Sequence, residues 1–307
     1  AVHDGLDERY PRRALTMLEA KTVCVIVPAY NEERLLGRTL GTMPDLVDAV
    51  IVVNDGSTDR TGEVAAELQA KDARVSVIGH TVNQGLGQSL IDGYQLALAR
   101  EYDVTVVMAG DAQMDPADLP EVVAPVARGE VDYIKGNRLL NEEAIRIMPR
   151  YRFVGNSILT LLTKFATGYW HLIDPQCGYT AIARKALGTI NIGTLVRGYG
   201  YNAHLLHMLN LNNFKVRDVP VKPVYGEAQS KIRLQSYIPK VSRLLVALFA
   251  RRLVNKYLVR EFHPLIFFYI FSFINLLVIA FPLFWHSLFI YYTVEGAPLR
   301  TSLIIWT

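Results

Sequence analysis

Four short, mostly apolar runs punctuate the first half of the chain, and each ends in a polar turn. "TVCVIVPAY", "VDAVIVVN", "RVSVIGH" and "VTVVMAGD" read as strands, with "DYIKGNR" as a fifth. Between them "NEERLLGRTLGTM", "RTGEVAAELQAKD" and "GLGQSLIDGYQLALAREY" read as helices, the first opened by Asn31 as its cap. Continuous Val/Ile runs separated by helices predict an α/β fold whose mostly parallel sheet is covered on both faces. Ligands bind such sheets beyond the carboxyl ends of the strands. "PAYNEE", "NDGSTD", "GHTVNQG" and "GDAQMD" all fall there, so the pattern predicts that they converge on one site.

From about Asn141 the pattern loosens. "RYRFVGNSILTLLTKFATGYW" reads as a helix, "IDPQCGYTAIARKAL" as a loop leading into another element, and "FKVRDVPVKPVYG" as an edge strand with a proline. Lys231 to Arg260 then holds eight Lys or Arg and no Asp or Glu, with apolar residues at helical spacing. Such a stretch is expected to lie on an anionic membrane surface. Directly after it, Phe262 to Val294 is 33 residues without Asp, Glu, Lys or Arg, where a membrane-crossing helix needs about 20. This predicts one span plus the start of a second in "LRTSLIIWT", or a hairpin bent at Pro282. The basic flank puts its own side in the cytoplasm by the positive-inside rule, and the first twenty residues lack the apolar core of a signal peptide. A net charge of only +3 gives no field that would attract nucleic acid. The two cysteines, Cys24 and Cys177, make neither a disulfide framework nor a zinc-ligand spacing.

"VPAYNEE", "VNDGSTDRT", "NQGLGQSLIDGY", "GDAQMDP", "GNR" and "DPQCGY" stand in the order seen in family 2 glycosyltransferases. Over roughly Lys21 to Arg233 the chain resembles that family's polyprenyl-phosphate transferases, of the dolichyl-phosphate mannose synthase type. The resemblance implies a GT-A-like, Rossmann-type domain using a nucleotide sugar of the GDP-mannose or UDP-glucose type, with Mg²⁺ or Mn²⁺. Its acceptor would be polyprenyl or dolichyl phosphate in a lipid bilayer. It divides the chain into a tail (1–20), a catalytic domain (21–230), basic interfacial helices (231–261) and a transmembrane region (262–307). The catalytic domain would face the cytoplasm from a cell or ER-type membrane. A family 2 transferase with a saccharide acceptor and a catalytically degenerate nucleotide-sugar binder are the competing readings.

Pro28 and Tyr30 can present backbone and ring to a flat base, and Glu32 can accept from a ribose hydroxyl. The same residues also suit an ordinary helix N-terminus. Asp55 suits pairing with a base N–H, the family's role for this position, although Asp-Gly-Ser is also common turn chemistry. Gly85 belongs to a glycine-rich turn for which a close chain approach near the nucleoside is favoured over phosphate cradling. Where relatives read Asp-x-Asp-Leu-Gln, this chain has Ala109, Asp111 and Gln113, so the implied metal site reduces to Asp111 and Gln113. Asp115 instead reads as a cap ahead of Pro116.

Arg138 of "GNR" and Arg152, placed by family spacing, are expected to act on phosphates rather than on folding, while Arg146 or Arg150 fit a solvated surface role equally well. Asp174 of "DPQCGY" would orient the acceptor phosphate, the sugar or the metal shell, or simply cap its own loop. In that motif Cys177 replaces Ser and Thr180 replaces Arg. "GEAQSKIR" resembles a loop that closes over the diphosphate, putting Ser230 and Lys231 there, with Lys222 a further basic candidate.

Overall fold

The computed structural model describes residues 20–140, 150–198, 200–222, 224, 234–260 and 262–293. Its contacts divide the chain into two units, Ala1–Ala250 and Arg251–Thr307.

The first unit is built on a seven-stranded sheet of β1 (Val23–Ala29), β2 (Ala49–Asn54), β3 (Val75–Gly79), β4 (Val104–Val107), β5 (Tyr133–Asn137), β6 (Thr180–Ala183) and β7 (Val216–Pro220). Their order is β3-β2-β1-β4-β6-β5-β7. Central β1 is buried at all seven positions. Its alternate residues enter two cores: Val23, Val25 and Val27 pack with Leu36, Leu119 and Val122, whereas Cys24 and Ile26 pack with Leu90, Tyr94 and Leu187. That is why the run is continuously apolar. Each fully buried Val or Ile contributes on the order of 2 kcal/mol. Burial pushes the Cys24 thiol up to about 12, as for a small hydrophobe.

The helices on the two faces include α1 (Leu36–Gly41), α2 (Thr61–Lys71), α3 (Leu86–Ala99), α4 (Leu119–Ala127), α5 (Arg150–Thr167), α6 (Arg184–Thr189) and α7 (Tyr201–Leu211). All sheet pairings are parallel except those of β6, which runs against β4 and β5. The pattern of the sequence left β6 inside a loop. With four residues it is too short to show a period. β7 is an edge strand, as its proline predicts.

The basic stretch continues as α8 (Leu234–Arg252). Val241, Leu245 and Leu248, spaced along one face of α8, pack with Ala166 of α5 and Ala203 of α7. In the second unit a π-wound segment, Leu253–Arg260, precedes α9 (Leu265–Ile274) and α10 (Phe281–Thr293). Leu265–Ile290 forms one apolar helix of 26 residues, long and apolar enough to cross a membrane. It runs through Pro282 without a break, and the turns just before it, Asn275–Ala280, are π-wound. A wide turn there accommodates the missing proline N–H and the bulk of its ring. "LRTSLIIWT" lies outside the described residues.

Candidate active site

Strands β1 to β5 run in one direction, so their carboxyl ends share one edge of the sheet. Because β6 runs the opposite way, the loop before it, Asp174–Tyr179, reaches the same edge. All four polar turns and "DPQCGY" therefore meet there.

Pro28 is buried near the end of β1 and Tyr30 is half-buried just beyond it. Asn31 does not cap a helix. It sits at φ 53, its side chain accepts from the Thr58 amide at 2.9 Å, and α1 begins only at Leu36. The two turns are stitched further by Glu32 N–H donating to Thr61 Oγ1 at 2.8 Å and Arg60 N–H donating to Glu33 at 3.1 Å. An acidic cluster after a strand mimicked a capping signal, but here it serves a loop-to-loop contact.

Asp55 is buried and accepts from His80 and from the amides of Gln84 and Gly85. Gly85 is required by its φ of 93, and a Cβ there would stand 2.8 Å from the Arg197 carbonyl oxygen. At the start of α3, Gly87 N–H donates to that same carbonyl at 2.6 Å. The glycine-rich turn is thus a close chain approach, and the Gly87 amide is taken up by protein rather than offered to phosphate.

Beyond β4, Asp111 and Gln113 flank Ala112, which is left-handed at φ 55, and Gln113 N–H donates to Asp111 at 3.1 Å. Asp111 is half-buried and Gln113 exposed. Asp115 accepts from the Ala117 amide at 2.9 Å and caps the short turn Pro116–Asp118. Tyr179 donates to the Asp115 carbonyl at 3.1 Å, and Val224 N–H to the Gln113 carbonyl at 3.0 Å, fastening this turn to its neighbours. Among the described residues no three His, Cys, Asp or Glu side chains gather around a metal position. A hard cation is nevertheless accommodated by one carboxylate and one amide oxygen when phosphate and water complete its shell.

Arg138 follows β5 and holds buried Asp174 with two bonds, Nε at 2.8 Å and Nη2 at 3.1 Å. This bidentate grip fixes both side chains. It also corrects the expectation that Arg138 does not act on folding, since its removal strands a buried carboxylate. Behind the pair lies a polar cluster that the sequence reading missed. Lys135 is fully buried and donates to Asn202 at 2.6 Å, while Asp218 accepts from Asn137 at 3.0 Å and from the Ile173 amide at 2.7 Å. Burial lowers the Lys135 pKa to about 8 and raises that of Asp218. The available signal was a lysine directly after Tyr133 and Ile134 in a short strand.

Lys135 should leave a pH signature in stability. Below pH 8 it is protonated whether folded or unfolded, and its desolvation weakens the fold fully. Between about 8 and its ordinary 10.5 the unfolded chain binds the extra proton, so this contribution to stability rises with pH. Cys24, Tyr94 and Tyr133, all pushed upward by burial, act in the opposite sense above about pH 9. The informative quantity is therefore wild type minus Lys135→Met, which is expected to rise by about 1 kcal/mol, or ~2–4 °C, from pH 8 to 9. A pH-independent difference in melting temperature contradicts this.

Of the remaining candidates, Arg152 lies in the first turn of α5 and its side chain is outside the described residues. Ser230 and Lys231 also lie outside them. Lys222 is exposed, and its amide donates to buried Asp118 at 2.7 Å.

Residues 24–190 match the family described as Glycosyl transferase family 2. The UDP-N-acetylglucosamine–dolichyl-phosphate N-acetylglucosaminyltransferase of Methanococcus voltae is 28% identical over 67% of this chain and 87% of its own. The polyprenol monophosphomannose synthase of Mycolicibacterium smegmatis is 31% identical over 67% of this chain and 78% of its own. Among solved structures, glucosyl-3-phosphoglycerate synthase of Mycobacterium tuberculosis superposes with TM-score 0.57 at 22% identity, over 78% of this chain and 83% of that one. That likeness supports the GT-A-like fold. With its polar turns gathered at one edge of that sheet, this chain belongs to the family 2 glycosyltransferases.

Proposed function

We propose that this protein is a membrane-associated, inverting transferase that moves a hexose from a nucleotide sugar to a polyprenyl phosphate on the cytoplasmic face. The observation that carries this reading is the Arg138–Asp174 pair at the sheet edge that also holds the Asp111 turn. The dolichyl- and polyprenol-phosphate relatives support the acceptor, and the apolar Leu265–Ile290 helix supports the membrane.

In this reaction a phosphate oxygen of the lipid attacks the anomeric carbon. The bond to the donor diphosphate breaks on the opposite face, and the nucleoside diphosphate leaves with the electron pair. The nucleophile is already an anion, so no general base is required. Arg138, its orientation fixed by Asp174, supplies positive charge to phosphate oxygens. Asp111 and Gln113 would hold Mg²⁺ or Mn²⁺, which when bound neutralises charge on the diphosphate. Pro28, Tyr30, Glu32 and Asp55 form the nucleoside end, with Gly85 shaping its wall. Arg152, Ser230 and Lys231 are assigned to the phosphates by the family resemblance.

Radiolabelled nucleotide sugars incubated with the protein and polyprenyl phosphate in bilayers test the proposal. Label in the extracted lipid supports it, and label appearing only in soluble saccharide overturns it. Removal of Phe262–Thr307 is expected to leave nucleotide affinity unchanged and to reduce transfer to long-chain lipid at least tenfold, with short water-soluble acceptors less affected. Equal transfer to long lipid by truncated and full chains in bilayers would refute the interfacial acceptor.

A further inference from the structure

We propose that His80 restricts the donor base to uracil or thymine by leaving Asp55 room for one further N–H only. The inference rests on the reading of Asp55 as the residue that meets the base. A carboxylate offers about four acceptor positions, two on each oxygen. On Asp55, Oδ1 receives His80 Nδ1 at 2.7 Å and the Gln84 amide at 2.8 Å, while Oδ2 receives the Gly85 amide at 2.9 Å. Oδ1 is therefore full, and a single position remains on Oδ2.

His80 is not a casual neighbour. Its side chain is 6% exposed, and its second nitrogen, Nε2, stands 2.9 Å from Asp92. Asp92 in turn accepts from Gln88 at 3.0 Å. The backbone amide of His80 donates to the Asn54 carbonyl at 2.9 Å, adjacent to Asp55 in sequence. The ring is thus held at both nitrogens and at its backbone. Whichever nitrogen carries the proton, Nδ1 stands 2.7 Å from Asp55 Oδ1 and closes that position to a further donor.

The bases differ in what they ask of a carboxylate. Guanine presents two adjacent donors, N1–H and N2–H, and pairs through both oxygens, one of which is filled. Uracil and thymine present a single imide N–H between two carbonyls, which one lone pair satisfies. Adenine and cytosine can give one amine N–H, but the ring-nitrogen acceptor beside it then faces the carboxylate, and two acceptors repel. The imide pyrimidines match the remaining capacity best.

Calorimetric binding of UDP, dTDP, GDP and ADP to the full chain, with and without Mn²⁺, tests this. UDP or dTDP is expected to bind at least tenfold more tightly than GDP and ADP. His80→Phe keeps a ring but removes the donor, and it is expected to narrow the UDP-to-GDP ratio severalfold. GDP binding as tightly as UDP in the wild type overturns the proposal, and this holds even where His80→Phe does not fold. An unchanged ratio in a folded His80→Phe protein overturns the role of His80. Binding of none of the four removes the reading of Asp55 itself. The measurement needs no acceptor, so its failure is distinct from that of the proposed reaction. Preference for GDP with labelled lipid retires only the base assignment, whereas preference for UDP with unlabelled lipid retires only the acceptor.

Discussion

Arg138→Ala is expected to lower the turnover of sugar transfer at least a hundredfold, a loss of about 3 kcal/mol of transition-state stabilisation. The variant also leaves Asp174, 6% exposed at its side chain, without its two-point partner. Breaking a buried pair destabilises by about 3–5 kcal/mol. Because the Arg138 side chain is about one-third open to solvent, roughly 2 kcal/mol of folding stability is the better expectation here. The two effects separate experimentally. Arg138→Lys keeps a positive charge near Asp174 and is expected to restore most of the stability, yet only part of the turnover, because the planar fork is gone. Asp174→Asn leaves the arginine in place but frees its orientation, so it is expected to lower turnover with little change in nucleotide affinity. If the residues act as one unit, the double variant is no worse than Arg138→Ala alone. Wild-type turnover in a folded Arg138→Ala protein removes Arg138 from the reaction, and additive losses remove the coupling.

How much of this was legible in the sequence depended on whether a feature was local. The buried strands announced themselves because β1 and β2 are covered on both faces and tolerate little but apolar residues. The turn at Asp115 was also legible, since a cap and a following proline act within three residues. Contacts between distant turns were not. Asn31 has the chemistry of a helix cap, and only the approach of the Thr58 turn decides that its side-chain Oδ1 serves another loop. His80 looks like an ordinary polar residue at a strand end until folding places it between Asp55 and Asp92. Lys135 and Asp218 stand 83 positions apart in sequence but on neighbouring strands in register. The short reversed strand β6 likewise delivers Asp174 to the edge where β5 ends and Arg138 begins. The resemblance named Arg138 and Asp174 separately. The fold shows that they are one group.

Asp111→Ala is expected to reduce transfer by about a hundredfold to a thousandfold, and to do so without unfolding the protein. Asp111 lies on a half-buried turn beyond β4, and the bond it accepts from the Gln113 amide is made within that turn rather than between strands of the sheet. What the substitution removes is the carboxylate of the reduced donor set, in a motif where the family resemblance implies two aspartates and this chain has Ala109 at the first. With one protein carboxylate, more of a cation's ligands must come from the donor diphosphate and water. Metal affinity is therefore expected to be weak without nucleotide and to strengthen when UDP or GDP is present. Asp115→Ala provides the comparison. Its side chain caps the next turn, so that variant is expected to lose about 1 kcal/mol of stability and to keep most of its activity. Ala109→Asp restores the missing carboxylate at a half-buried position and is expected to tighten Mn²⁺ binding in the absence of nucleotide, read by competition with a chelator. Full turnover in excess chelator would end the metal assignment. Equal activity losses in Asp111→Ala and Asp115→Ala, at equal stability, would instead make the turn a structural feature and move the neutralisation of the diphosphate onto the arginines.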